Sequence, residues 1–397
     1  MPPAIIIIGT GPAGLMAADI LSRAGKKVHI YDHKPSVARK FLMAGRGGLN
    51  ITHSEEFELL ITRYGDSSSF LRPALEHFPP ATLRAWCTEL GEETFIGSSG
   101  RVFPKSFKAS PLLRAWLNRL NAQNVTFHMN HRWNGWNAQG DLHFESPNGS
   151  QFIKAEKTIL ALGGASWPKL GSTASWKPLL EKEGITVVPF RPTNCGFFCA
   201  WSDIFANKYA GTPLKSITLT HQGHRQQGDA MVTQHGIEGG LIYAFSSKLR
   251  DDIDHHGQAF VTLDLKPDLE PKRLEEVLNR PRGRDSFSNF LRKTTGLPSV
   301  SIGLLMEDRK IQEIAAHDLA HRIKNYSLTL TAPFSLERAI SSAGGIALDE
   351  IAPSYMLKKK PHVYAIGEML DWEAPTGGYL LQACFSMAAY CAHELGA

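Results

Sequence analysis

The sequence predicts an α/β fold: a parallel sheet flanked by helices, interrupted by an inserted domain of mixed strands and helices. Three observations carry this. Residues 4–32, AIIIIGTGPAGLMAADILSRAGKKVHIYD, hold an apolar β-branched run, a glycine-rich turn, an amphipathic helical stretch, a second apolar run and a terminal acid, in that order. The step from apolar strand to glycine recurs twice, in KTILALGGAS at 157–166 and in PHVYAIGEML from Pro361. The region 190–340, about 150 residues, has no such step, and it is too long for a connection but long enough for a domain.

The first stretch meets the requirements of a dinucleotide site one residue at a time. Gly9 permits the tight turn, Gly11 lets backbone approach a pyrophosphate, and Gly14 lets the helix pack closely on the strand. Pro12 and Ala13 open the helix. Pro12 lacks an N–H but suits a first turn, so the remaining amides and the positive helix end face the phosphates. Leu15, Ala18 and Leu21 form the sheet-facing stripe, Gly25 closes the helix, and Asp32 ends the second strand where a carboxylate accepts from both ribose hydroxyls. A lone GxGxxG is a weak signal. Strand, glycines, helix, strand and acid in register make it specific for a nucleotide-binding βαβ unit.

Residues 33–55 are dense in glycine and basic residues. Following the second strand, they place Arg39, Lys40 and Arg46 to meet phosphate, Gly45, Gly47 and Gly48 to let backbone approach a ring, and Asn50 and Thr52 to cap a helix or bond the cofactor. Residues 57–122 read as helical, with IGSSGRVFPKSFKAS as a turn-rich interruption directed at an active site, and 125–159 read as a β-meander. Gly163 and Gly164 then end a strand that returns the chain to the nucleotide. Pro189–Asn194 reads as an exit, which sets the expected domains: 1–189 with 341–397 for the nucleotide, and 190–340 as a substrate domain and lid. Within the insertion, a β part at 190–265 contains strands at Leu214–Thr220 and Phe260–Leu265 flanking a loop from Gly228 to Ser246, and a helical part covers 266–326.

At the far end, His362–Ile366 reads as a strand ended by Gly367 and Glu368, and Gly377 and Gly378 precede a helix from Tyr379 to His393. A second strand, glycine, acid and helix exceed what one mononucleotide requires. They suit FAD, with Glu368 or Asp371 on the ribityl hydroxyls and the helix amino end at the flavin pyrimidine edge. Tyr379 would donate to substrate or pack under the flavin.

The composition is that of a soluble globular chain: 397 residues, 43% hydrophobic and 20% charged, with no apolar run long enough to span a membrane. A first strand starting at residue 4 leaves no room for a signal peptide, which predicts a cytoplasmic protein. Five cysteines without a CxxC pair read as reduced thiols, and Cys195 and Cys199 as buried small hydrophobes. A net charge of +5 suits anionic cofactors or substrates and falls short of a nucleic-acid signature. The histidines show no HxH or HExxH spacing, so no metal is assigned.

The combination of GTGPAG, RKFLMAGRGGLNITHSE, TILALGG, VTQHGIEGG, SSAGGIALDEI and AIGEMLDWEAPTGGYLLQA resembles the bacterial aminoacetone-oxidase-like family of NAD(P)/FAD-dependent oxidoreductases, which has a relative associated with bile-acid reduction. The likeness spans nearly the whole chain. It implies a Rossmann-type FAD domain of the two-dinucleotide-binding kind, split by an inserted domain that is β-barrel-like and helical. Carried over by position, Gly9, Gly11, Gly14, Asp32, Arg39, Lys40, Asn50, Gly163, Gly164, Gly367, Glu368, Gly378 and Leu380 fall where the family holds FAD. The chain departs from the family in three places. Asp32 stands where Glu is commoner, GRGGLN lacks the usual Arg-Cys pair, and GSTASW lacks additional glycines. The last two lie where the family resemblance puts the flavin or its entrance, and they leave substrate identity open rather than FAD binding.

The function so implied is hydride transfer through a non-covalent flavin, with NAD(P)H as transient donor and a small organic acceptor. Its rivals are an amine oxidase using oxygen, an RNA-associated FAD protein, and a flavin-stabilised scaffold without turnover. Residues 266–324 hold twelve Lys or Arg against nine Asp or Glu, an excess that a solvated helical face explains, so a nucleic-acid partner is not expected. The candidate acid, base or orienting donor is His235, in the glycine-rich loop that the family resemblance brings toward the active site; a loop histidine is more often simply exposed. Oligomeric state has no signature in the sequence.

Overall fold

The computed structural model describes residues 4–44 and 47–397; Gly45 and Arg46 lie outside the described residues. The chain divides into two compact units, Met1–Pro192 with Ile340–Ala397, and Thr193–Ala339. Each has its own apolar core.

The first unit is organised around a five-stranded parallel sheet. Its strands are β1 (Ile5–Ile8), β2 (Val28–Asp32), β3 (Thr126–Met129), β4 (Lys157–Leu160) and β5 (Val363–Ala365), in the order β5-β4-β1-β2-β3. β1 lies at the centre, in register with β2 and β4, and its four isoleucines are buried on both faces, as a parallel strand covered by helices must be. Helix α1 (Pro12–Arg23) follows, with Pro12 in its first turn and Leu15, Ala18 and Leu21 fully buried. A side chain at Gly9 would collide with the Ala161 carbonyl, and one at Gly14 with the Gly9 carbonyl, so both glycines are demanded by close approach. Helix α2 (Arg39–Ala44) follows β2, and helix α3 (Tyr379–Glu394) ends the chain, packing against α1.

Two sequence expectations are corrected here. The stretch 125–159 is not one meander. Thr126–Met129 pairs in parallel with β2, and only Arg132–Trp136, Leu142–Ser146 and Gly149–Ile153 form the antiparallel ribbon. The turn-rich interruption in 57–122 is a hairpin, Thr94–Ile96 with Arg101–Pro104, joined by Thr52–His53 in a small antiparallel sheet.

In the second unit all strand pairs are antiparallel. Tyr326–Leu330 pairs with Ala259–Asp264, and Ala332–Pro333, one residue later, pairs with Phe197–Phe198. The sheet thereby curls back on itself like a barrel. The expected loop from Gly228 to Ser246 is mostly regular: strand His224–Thr233, a turn, strand Gly236–Glu238 and a short helix Gly240–Tyr243. Two of its glycines permit close packing rather than looping. A side chain at Gly236 would strike the Phe197 carbonyl, and one at Gly228 would crowd Leu241. Helices Pro271–Leu278, Phe287–Thr295, Ser299–Leu305 and Ala316–Lys324 occupy the region read as helical. All five cysteines are buried free thiols. Among the described residues, no helix is long and apolar enough to cross a membrane, and no cluster of His, Cys, Asp and Glu could hold a metal ion.

The cut between the units differs from the expected 189/190 and 340/341 boundaries. Strand Val187–Thr193 pairs with Ser341–Ile346, which keeps residues 190–192 with the first unit.

Candidate functional site

The strand–turn–helix step places the N-terminus of α1 at the end of β1, and a groove opens above it. Residues 8–13, 31–34, 40, 131–133, 161–163, 171–173, 175, 176, 366–368 and 384 line this groove. Gly11 is the N-cap of α1, in extended conformation with no capping side chain, so the first-turn amides have no side-chain partner there. A side chain at Gly11 would meet open space, in contrast to Gly9 and Gly14.

Asp32 ends β2 and braces the turn. One carboxylate oxygen accepts from the Thr10 amide at 2.8 Å and the Thr10 hydroxyl at 2.6 Å, and the other from the Lys34 amide at 2.8 Å. Across the groove, Lys40 from α2 donates to Glu368 Oε2 at 3.0 Å and to Ser166 Oγ at 2.8 Å. Lys40 and Glu368, expected on phosphate and ribityl respectively, are thus partners of each other. Gly163 takes a left-handed conformation at the end of β4, and its carbonyl accepts from the Trp176 indole at 2.9 Å. Beneath, burial pushes the Cys384 thiol well above its usual range.

Gly9, Gly11, Pro12, Ala13, Asp32, Lys40, Gly163, Gly367 and Glu368 line the groove. The other expected residues are not among the described residues that line the groove. Gly14 sits against the Gly9 carbonyl, and Gly164 against Ser342. Asn50 donates to the Thr52 and Val102 carbonyls at 2.8 and 3.0 Å, tying its loop to the small sheet. Asp371 accepts from the Gly344 amide at 3.1 Å. Leu380 packs on the core, Arg39 is half-buried at the start of α2, and Gly45 lies outside the described residues.

Gly378 and Tyr379 belong to a network at the start of α3. A side chain at Gly378 would crowd the backbone of Thr52. The Tyr379 hydroxyl donates to Glu55 at 2.6 Å, Glu55 accepts two bonds from Arg63 at 2.7 and 3.1 Å, and the ring stacks on His53 at 5.3 Å. Burial, then the Glu55 contact, raises the Tyr379 hydroxyl. Burial alone would raise Glu55, but its bonds to Arg63 and Tyr379 hold it below the usual carboxylate range. Sequence reasoning missed His53, Glu55 and Arg63 because nothing local pairs them with residue 379.

It also missed His33, Lys34 and residues 131–133 of the groove, whereas residues 171–176 apart from Ala174, which the family resemblance puts near the flavin or its entrance, line it as well. The position of His33 and Lys34 directly after Asp32 was an available signal. The ribbon residues were not detectable, because they reach the groove only through the β2–β3 pairing. His235 is exposed in the turn between His224–Thr233 and Gly236–Glu238, and its carbonyl accepts from the Cys199 amide at 3.2 Å.

The residues present fit FAD. The helix end is uncapped, Gly11 faces open space, an acid closes β2, and the buried Trp133 indole N–H, on a groove-lining residue, has no hydrogen-bond partner. Comparison with known proteins agrees. The model of the HI0933-like protein Rossmann domain matches residues 3–394. A 3-dehydro-bile acid delta(4,6)-reductase of Clostridium scindens is 25% identical over 393 residues, 95% of each chain. A ribosomal RNA dihydrouridine synthase of Escherichia coli is 24% identical over 407 residues, covering 98% of this chain and 97% of that one. Among solved structures, 3-ketosteroid delta1-dehydrogenase from Sterolibacterium denitrificans superposes with a TM-score of 0.51 over 99% of both chains at 10% identity, a likeness of fold. The chain therefore belongs to the HI0933-like family and is a Rossmann-fold, FAD-dependent oxidoreductase.

Proposed function

We propose that this enzyme takes hydride from NADH or NADPH and delivers it to a carbon–carbon double bond conjugated to a carbonyl in an organic acceptor. The observation that carries this reading is the chemistry shared by the two relatives' names. A 3-dehydro delta(4,6) bile acid and a uracil ring both present an alkene activated by a carbonyl, and both aligned chains run nearly the full length of this one. When bound, FAD supplies the capacity to accept and give hydride. The chain's own residues do the rest. The α1 amides and helix end would hold the diphosphate, and Asp32, which keeps Thr10 in place, would accept from ribose hydroxyls. Lys40 and Glu368 line the same groove as an ion pair, so each would offer a polar group to the cofactor if that pair opened or were shared. The Tyr379–Glu55–Arg63 network anchors the start of α3, whose amide end would stabilise negative charge gathered nearby.

The test is anaerobic mixing of the flavin-loaded protein with NADH and NADPH separately. Bleaching of the flavin by one of them, followed by its recovery on adding 2-cyclohexen-1-one or a uridine-containing RNA, is expected. Recovery only with RNA would assign the acceptor to nucleic acid. Bleaching by an amine and by neither nicotinamide would replace the reading with amine oxidation.

A further inference from the structure

The second unit holds a cavity that no residue of the cofactor groove enters. It lies between helices Asp203–Tyr209, Phe287–Thr295 and Ser299–Leu305 with the residues just beyond. Its apolar surface comes from Ile204, Phe205, Tyr209, Ile302 and Met306, and Ile204 is 82% exposed although isoleucine is among the residues most often buried. Gly303 exists here for packing, since a side chain at that position would collide with the Tyr209 ring. Three cations line the same space: Lys208, Arg292 and Arg309. The one acid in this lining, Glu307, accepts from the Ser202 amide at 2.7 Å and the Ser202 hydroxyl at 2.6 Å and keeps its charge, so the cations outnumber it three to one. Arg292 bonds Asn289, a neutral partner, at 2.6 Å, and Lys208 rests over the Tyr209 ring at 5.3 Å. Neither contact neutralises the charge.

We propose that this cavity binds an amphiphilic organic anion. A carboxylate or phosphate monoester would sit on Arg292, Arg309 and Lys208, and an apolar body would cover Ile204, Ile302 and Met306. Charge complementarity selects the head group, because arginine presents a planar fork to such oxygens. The apolar floor selects the body, since covering Ile204 removes apolar surface from water. The proposal is independent of the acceptor chosen above, as every lining residue belongs to the inserted unit.

Calorimetric titration of the FAD-loaded protein with decanoate, monodecyl phosphate and decanol tests it. One molecule of decanoate or of monodecyl phosphate is expected to bind at least tenfold more tightly than decanol, more weakly as salt is raised. The stronger of the two anions identifies the head group. Arg292→Glu and, separately, Arg309→Glu should each weaken binding about tenfold or more, and Ile204→Ser should weaken both anions alike; all three residues are exposed, so the fold is retained. Equal affinity for decanol, no measurable binding, or anion binding that survives both charge reversals would overturn the proposal.

Discussion

Two aspartates show how position separates cofactor chemistry from stability. Asp32 is at the groove and holds the Thr10 and Lys34 amides. Asp19 is buried in α1, where it accepts from the Trp86 indole at 2.8 Å and faces Arg119 at 3.5 Å. Asp32→Ala should lower flavin retention sharply, since each lost bond to a charged acceptor is worth about 1.5–3 kcal/mol. Asp19→Ala should keep its flavin at low temperature but melt several degrees earlier, because it strands a buried indole N–H at a cost of about 1–3 kcal/mol. Flavin occupancy and melting temperature measured on both variants check the pair. Equal flavin loss would remove Asp32 from the ribose assignment.

A second residue-scale consequence concerns His128. It stacks between Tyr31 and His29, with ring centroids 4.3 and 5.3 Å away, and its Nε2 meets His29 Nδ1 at 3.0 Å; His131 lies edge-on at 5.7 Å. Burial, then the neighbouring His29 and His131, lowers its pKa to about 4 from an ordinary 6.5. Below pH 6.5 the unfolded chain takes up a proton that the folded chain refuses, so this site's contribution to stability falls with pH down to about 4 and is constant above 6.5. His128→Phe keeps the stacking and removes the titration, so its melting temperature should vary less between pH 4 and 6.5 than that of the parent. Identical pH profiles would show that His128 is not the titrating group.

At the scale of the element, the β1–turn–α1 unit separates the glycines that close packing demands, Gly9 and Gly14, from Gly11, around which space is open. Gly14→Ala forces a methyl group into the Gly9 carbonyl and should destabilise the protein by about 2 kcal/mol or more, as overpacking at a rigid backbone does. Gly11 has an ordinary negative φ and open space around it. Gly11→Ala should therefore fold with an unchanged apo melting temperature while binding FAD less tightly, as measured by flavin fluorescence titration. A Gly11→Ala protein with undiminished affinity would mean that the cofactor does not approach this backbone. The same reasoning explains the misreading of Gly228 and Gly236. In sequence a glycine marks a turn or a close approach equally well, and the crossing strand that decides between them is far away in the chain.

At the scale of the molecule, the insertion leaves and returns through one paired element, Val187–Thr193 beside Ser341–Ile346, and carries its own core. Replacing 193–339 by a short Gly/Ser linker should leave a protein that still binds FAD but no longer turns over its acceptor. Loss of flavin in that variant would make the insertion part of the cofactor site. His235 is proposed as an acceptor-handling residue, although it is exposed. His235→Ala should leave flavin content and melting unchanged, and slowed reoxidation of the reduced flavin would confirm the assignment, whereas unchanged reoxidation would return it to the surface.

What the sequence determined by itself is local and periodic: an isoleucine run that reads as a fully buried strand, glycines spaced for a turn onto a helix, an acid at the end of β2, and the same step at β4 and β5. These features span a few residues each, and backbone sterics and burial are enough to read them. The tertiary structure alone decided which side chains meet. It joined Lys40 to Glu368 across 328 positions and Tyr379 to Glu55 across 324, brought the 131–133 segment to the groove, and buried Asp19 under Trp86. Such pairings depend on the order of strands in the sheet and the packing of helices over it, and no spacing along the chain encodes them.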